Sequence, residues 1–222
     1  MSATSDLTPE KALIFRITHR DNVPWILKHG LHCSESPEQD PGFVTIGSDE
    51  IISRRSRRTV PDPPGGVLAD YVPFYFTPLS PMLYNIKTGY HGATQRDMDE
   101  IVILVSSLPT LVNRGLAFFF TDRHAIYNTV NFFSDLADIH HLPWKQLRAC
   151  DFKKNPEDPD KFERYQAEAL VHQHVPIDAL IGVVCYNESV KTMIDTELAR
   201  QAHDLEIKVY PRWFFDDVLH QR

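Results

Sequence analysis

Three groups of side chains in this 222-residue chain have the types and spacing that chemistry needs. The first is Glu168, in Arg164-Tyr165-Gln166-Ala167-Glu168-Ala169-Leu170-Val171, a carboxylate set where a charged, Pro-broken loop gives way to an apolar run. A charge at the lip of a core element must make specific hydrogen bonds or bear a desolvation cost, and reacting groups are often held at such places. The second is the basic cluster Arg54-Arg55-Ser56-Arg57-Arg58, and the third is the aromatic stretch Asp70-Tyr71-Val72-Pro73-Phe74-Tyr75-Phe76. Guanidinium groups grip diphosphate by bidentate charge-assisted hydrogen bonds, and a carboxylate can hold a ribose hydroxyl or take a proton as a glycosidic bond breaks. Together the groups suit a flat, phosphorylated substrate reacting through a cationic sugar, and NAD is such a substrate. Taken singly, each has a plainer use: a solvated face for the carboxylate and the arginines, core packing for Tyr71, Phe74, Tyr75 and Phe76.

Other chemistries fare worse. The 11 histidines include the pairs His140/His141 and His172/His174, but none belongs to an HExxH or a His/Cys ligand set, so no metal centre is expected. Walker and GxGxxG loops are absent, and Cys33 and Ser80 lack the surroundings of an activated nucleophile. Cys33, Cys150 and Cys185 form no CxxC pair, which fits a reducing cytosol. With 23 basic and 30 acidic side chains the net charge is -7, which argues against indiscriminate coating of nucleic acid and leaves room for a local basic groove. No leader pattern or run of roughly 20 apolar residues is present, so the reading is a soluble cytoplasmic protein with no membrane partner.

The elements that must position these groups follow from periodicity. Residues 1–10 are polar and aperiodic and read as a flexible start, with one domain over 11–222. Residues 12–18 are strand formers, and Asp21 or Asn22 can cap a helix carrying Val23, Trp25, Ile26 and Leu27 that Gly30 closes. Asp49 opens a second helix that delivers the arginines, and residues 61–66 force a turn before the aromatic stretch. Pro73 within that stretch fits an edge or a strand start better than a central strand. Residues 101–105, 117–121, 180–185 and 207–215 read as strands, and 126–137 and 189–202 as helices. Residues 166–170 have helix-forming composition in a position that suits a strand, and periodicity leaves both open. The order gives a mixed α+β domain without the alternation of a doubly wound sheet.

Arg16-Ile17-Thr18-His19-Arg20-Asp21-Asn22, residues 51–55, Gly65-Gly66, residues 70–76, Ser80-Pro81-Met82, Phe120-Thr121-Asp122-Arg123-His124-Ala125 and Gln166-Ala167-Glu168 closely resemble the DarT family, in order from about residue 12 to 215. The resemblance implies a single-domain ADP-ribosyltransferase fold of mixed, mostly antiparallel sheets with flanking helices. It also implies an NAD-dependent toxin that attaches ADP-ribose to a base, typically thymine, in single-stranded DNA, and an antitoxin partner that reverses the modification. By the same resemblance Glu168 and Arg55 are catalytic, with the register of the cluster counted back from Val60-Pro61; a slip of one residue would select Arg54. Arg16, Thr18, His19, Tyr71, Tyr75, Ser80, Met82 and His124 fall where the family lines its NAD pocket, although several members carry His in place of Arg16. Residues 153–165 occupy the substrate-reading loop, so Arg54, Lys153, Lys154, Lys161 and Arg164 would meet DNA phosphates and Tyr165 would stack on a base.

Two other readings stay open on the residues alone: NAD glycohydrolysis with water as acceptor, and a non-catalytic module for single strands. With Glu168 on a pocket rim, Glu168→Ala is expected to abolish transfer and leave the fold intact.

Overall fold

The computed structural model describes residues 4–216, which form ten strands and seven α-helices. In chain order these are β1 (Leu13–His19), α1 (Val23–His29), β2 (Leu31–His32), α2 (Asp49–Arg55), β3 (Tyr71–Tyr75), α3 (Pro81–Thr88), β4 (Ile101–Ser107) and α4 (Leu108–Asn113). There follow β5 (Phe118–Thr121), β6 (Phe132–Phe133), α5 (Trp144–Arg148), α6 (Lys161–Tyr165), β7 (Glu168–His172), β8 (His174–Val175), β9 (Gly182–Cys185), α7 (Glu188–Gln201) and β10 (Ile207–Val209).

Eight strands make one sheet in the order β10-β9-β4-β1-β3-β7-β5-β6, antiparallel throughout except for the β10-β9 pair, and β2 pairs with β8 apart from it. Every residue of β4 is buried, as a β-branched apolar run between β1 and β9 must be. The ladder of β1 with β4 runs the whole of both strands, whereas β1 meets β3 at one register pair only, Phe15 against Tyr75. The sheet is therefore two half-sheets joined at a seam. Pro73 lies on that seam, and this answers its apparent misplacement in a central strand: it is paired on the β7 side, opposite Leu170, and has no ladder partner on the β1 side. The guanidinium of Arg16 fills the gap, Nη1 donating to the Pro73 carbonyl at 3.1 Å.

Local chemistry sets the helix ends. The Ser80 hydroxyl accepts from Leu83 N and Pro81 opens α3, while Asn187 caps α7 through Val190 N. Gly30 closes α1 at φ 80, where a Cβ would collide with His174 and the Val175 carbonyl.

Several expectations are corrected. Residues 4–10 are not loose: Leu7 is buried, Thr4 Oγ1 donates to the Arg148 carbonyl at 2.6 Å, and Arg148 Nη1 donates to the Leu7 carbonyl at 3.0 Å. Residues 1–3 lie outside the described part. Asn22 does not cap α1 through its side chain. Its amide instead clasps Val44, donating to the carbonyl at 3.0 Å and accepting from the N–H at 2.8 Å. Residues 126–137 form no α-helix, because Asp122 takes the Asn131 backbone and side-chain N–H groups and Phe132 then pairs with Thr121 on β5, and only Leu136 and Ala137 enter a short 3-10 turn. The final strand stops at Val209, and a 3-10 turn, Pro211–Phe214, follows it. Residues 166–170 resolve as the entry to strand β7.

Candidate active site

Glu168 is the first residue of β7 and is buried, not on a rim. Its side chain is held on two sides. Arg55 Nη1 donates to both carboxylate oxygens at 3.1 Å, and the Ala125 N–H donates to Oε2 at 3.3 Å. Its backbone is held as well. The β5-β7 ladder runs as far as Phe120 against Ala169, and at the next step the Thr121 hydroxyl replaces a backbone partner, accepting from Glu168 N at 3.1 Å. That hydroxyl donates to the Arg123 carbonyl at 2.7 Å, which bends the chain so that Ala125 faces the carboxylate.

Helical geometry sets the two arginines apart. Ile51 packs on a small apolar cluster of Leu68, Tyr71, Phe119, Ala125, Ile126 and Leu170, and Arg55 lies one turn later on the same face of α2. Arg55 is thus turned inward to Glu168, whereas Arg54 is exposed. The basic end of α2 also suits the negative pole of its dipole.

Burial works to raise the Glu168 carboxyl, but Arg55, His124 and the Ala125 amide together hold it below its ordinary value, so it is ionised at neutral pH. His124 Nδ1 lies 3.8 Å from Oε2 and accepts weakly from Ile126 N at 3.4 Å. Burial lowers the His124 pKa against the pull of Glu168, with Arg55 and Arg54 adding to the depression. Burial also lowers Arg16, to about 10, with the nearby Arg55 charge acting the same way. Tyr75, opposite Glu168 in the β3-β7 register, is pushed up by burial and by that carboxylate, and its hydroxyl donates to the Met82 sulfur at 3.8 Å. Arg55 Nη2 and Arg16 Nε are buried N–H groups with no protein acceptor, so both arginines keep donors for a ligand.

The model of a family described as ssDNA thymidine ADP-ribosyltransferase, DarT, matches residues 15–215. The chain belongs to the DarT family. It is 47% identical over 212 residues to a DNA ADP-ribosyl transferase of Escherichia coli O127:H6, across 96% of this chain and 97% of that one. Thermus sp. 2.9 DarT in complex with ADP-ribosylated ssDNA superposes with a TM-score of 0.83 at 34% identity, covering 96% of this chain and 99% of the other. The same Thermus protein in complex with NAD+ gives a TM-score of 0.77 at 33% identity, covering 92% and 98%.

Of the side chains that the DarT resemblance marks for a dinucleotide, Arg16, Tyr75 and His124 gather around Arg55 and Glu168, and Met82 adjoins Tyr75. Thr18 stands one alternation along β1 from Arg16, its hydroxyl accepting from Asn22 Nδ2 at 3.0 Å. Three others are committed elsewhere. His19 receives the Asp21 N–H and approaches Glu100 at 3.5 Å, the Tyr71 hydroxyl donates to the Gly65 carbonyl at 2.8 Å, and Ser80 caps α3. Tyr71 holds the Pro-Gly turn against the small cluster and Ser80 sets the helix that presents Met82.

The substrate-loop residues divide in the same way. Tyr165 cannot stack on a base: it is fully buried and its hydroxyl donates to the Leu79 carbonyl at 3.0 Å. Lys161 is paired with Asp151 and Arg164 with Asp158, each at 2.6 Å. Lys153 and Lys154 are exposed and line an open groove with Cys150 and Phe152, where a phosphate could reach them. From sequence alone Thr121, Ala125 and Arg123 have no individual role, Asn22 only that of a cap and Arg58 only a place in the basic cluster. Arg58 reaches the Tyr127 carbonyl and Asn128, and Arg123 pairs with Asp160, so both brace the loop of residues 122–131. A local trace of Thr121 in the sequence is its place as a polar residue directly after the apolar run Phe118-Phe119-Phe120.

Among the described residues no group of three or more His, Cys, Asp or Glu could hold a metal ion, and no helix is long and apolar enough to cross a membrane.

Proposed function

We propose that the seam between the half-sheets, centred on Arg55 and Glu168, is where this NAD-dependent DNA ADP-ribosyltransferase joins ADP-ribose to a thymine of single-stranded DNA. The observation that carries the assignment is the buried, ionised Glu168, fixed at 3.1 Å by a guanidinium that still has an N–H to give. Such a carboxylate is a preorganised negative charge in a site shielded from water, where its effect on a developing cation is strongest.

In this reading Arg55 and Arg16 hold the oxygens of the dinucleotide, and Thr18, Tyr75 and Met82 shape its pocket. Glu168 accepts a ribose hydroxyl and stabilises the positive charge that grows as the bond from the anomeric carbon to nicotinamide breaks. Nicotinamide leaves with the bonding pair. A ring nitrogen of thymine then supplies the pair for the new bond, and its proton, made acidic as that bond forms, passes to Glu168 and on to solvent. A pairing nitrogen is hidden in a duplex, so an unpaired strand presents it at the least cost. An adduct there blocks pairing, which fits a toxin role and a partner antitoxin that reverses the modification. Cys33, Cys150 and Cys185 are free, and NAD and single-stranded DNA are intracellular, which supports a cytoplasmic site of action.

The test is to incubate the chain with NAD and thymine-containing oligonucleotides of varied sequence and to weigh the products. A gain of one ADP-ribose on DNA is expected. Full-rate nicotinamide release without DNA would instead mean hydrolysis of NAD.

A further inference from the structure

Burial of Tyr165 leaves the base without the aromatic partner that the resemblance assigned to it. Another ring, Tyr127, lies beside His124. Tyr127 belongs to the braced loop of residues 122–131 and packs one edge on the small apolar cluster, while part of it stays open to solvent. Its ring lies edge-on to His124, with centroids 6.0 Å apart and planes at 89°, and His124 in turn approaches Glu168 at 3.8 Å. Its backbone is fixed on both sides: its N–H donates to the His124 carbonyl at 3.2 Å, and its carbonyl accepts from Arg58 Nη2 at 3.2 Å. The exposed Arg54 carries a positive charge within its electrostatic reach.

We propose that Tyr127 is the stacking wall for the nucleobase that receives ADP-ribose, with Arg54 meeting an adjoining phosphate. The inference rests on the DNA reading of the site. A single-stranded base has no neighbour to fix its tilt, and the ring nitrogen must meet the anomeric carbon within a narrow angle. A ring held by packing offers a flat face at little entropic cost, and base stacking on such a ring is worth about tenfold or more in affinity.

The test varies oligonucleotide at fixed NAD, and NAD at fixed oligonucleotide, for wild type and three variants. Tyr127→Leu keeps the apolar packing and removes the face, so KM for the oligonucleotide rises about tenfold while KM for NAD stays within twofold. Tyr127→Phe and Tyr127→Trp keep a ring and restore the oligonucleotide KM. A Leu variant with unchanged oligonucleotide KM, or with both KM values rising together, overturns the proposal. So does a Phe variant that loses as much as Leu, since the hydroxyl would then be the working group. If the Leu variant does not fold, wild type decides against an oligonucleotide bearing 5,6-dihydrothymine, which keeps the pairing edge and loses the flat aromatic face. A raised KM supports stacking, and equal use refutes it. Transfer by wild type to ordinary thymine separates the two layers of inference: without it the DNA reading fails and takes the stacking wall with it, and with it only the stacking wall is at stake.

Discussion

In the half-sheet of β10, β9, β4 and β1, all seven residues of β4 are buried and its partners run alongside it without interruption; in the half-sheet of β3, β7, β5 and β6, the strand ends carry the buried Glu168 and Thr121 and the loop beyond them carries His124. The first half is held by apolar burial along regular ladders. The second has buried ladders too, β7 with β3 and β5, and where these stop hydroxyl, amide and guanidinium groups bond to one another. Reactive groups therefore sit where the backbone no longer satisfies its neighbours and side chains must do so.

If that contrast is right, substitutions in the two halves separate activity from stability. The largest effect belongs to Glu168→Gln, which keeps the shape and removes the charge: single-turnover transfer should fall by roughly a thousandfold. Glu168→Ala would in addition leave Arg55 buried and unpaired, at a cost of about 3–5 kcal/mol in denaturant unfolding, so the fold does not escape as a rim position would allow. Activity within a few-fold of wild type would end the assignment. Arg55→Lys keeps a charge and loses the fork, and kcat/KM for NAD should drop by about a hundredfold. Arg54→Lys should leave NAD kinetics unchanged, and equal losses at both positions would contradict the helix geometry.

On the other side of the seam, Ile103→Ala should cost about 2–5 kcal/mol of stability while the folded fraction keeps its kcat. A large loss of kcat there would show that the halves are not separable. The smallest effect is with pH. The folded pKa of His124 is depressed below 6.5, so its contribution to stability is present above 6.5 and is lost as pH falls from there through the folded value. Urea midpoints should therefore decline below about pH 6.5, and His124→Gln should make the decline shallower. Glu168, also depressed, adds a separate loss only below 4.5.

How much was legible follows the same division. β4, β9, the body of α7 and the entry to α2 are local patterns of periodicity and end residues, and residue order alone exposes them, whereas α3 with its Ser80 cap escapes that reading. The pairing of Arg55 with Glu168 spans 113 positions and leaves no local mark, so it came into view only through resemblance to a family. Tyr165 shows the opposite failure. An aromatic beside a basic loop has the composition of a nucleic-acid contact, yet α6 turns it inward to the Leu79 carbonyl. The expected helix over 126–137 failed because Asp122 holds Asn131 and Phe132 pairs on β5, which leaves Ile126 on the small cluster and Phe133 and Leu136 on the main core. The short basic helices α5 and α6 carry too few turns to leave a period.

The lone crossing of Phe15 and Tyr75 leaves the join thin in backbone ties, with one bridge and the reach of Arg16 to Pro73 beside the apolar core that both halves share. On the proposed reading, a dinucleotide held by Thr18 and Arg16 on one bank and by Tyr75 and Glu168 on the other acts as a splint across that join. Backbone amides flanking Pro73 should then slow their exchange with heavy water when NAD is added, while those in the middle of β4 stay as they were.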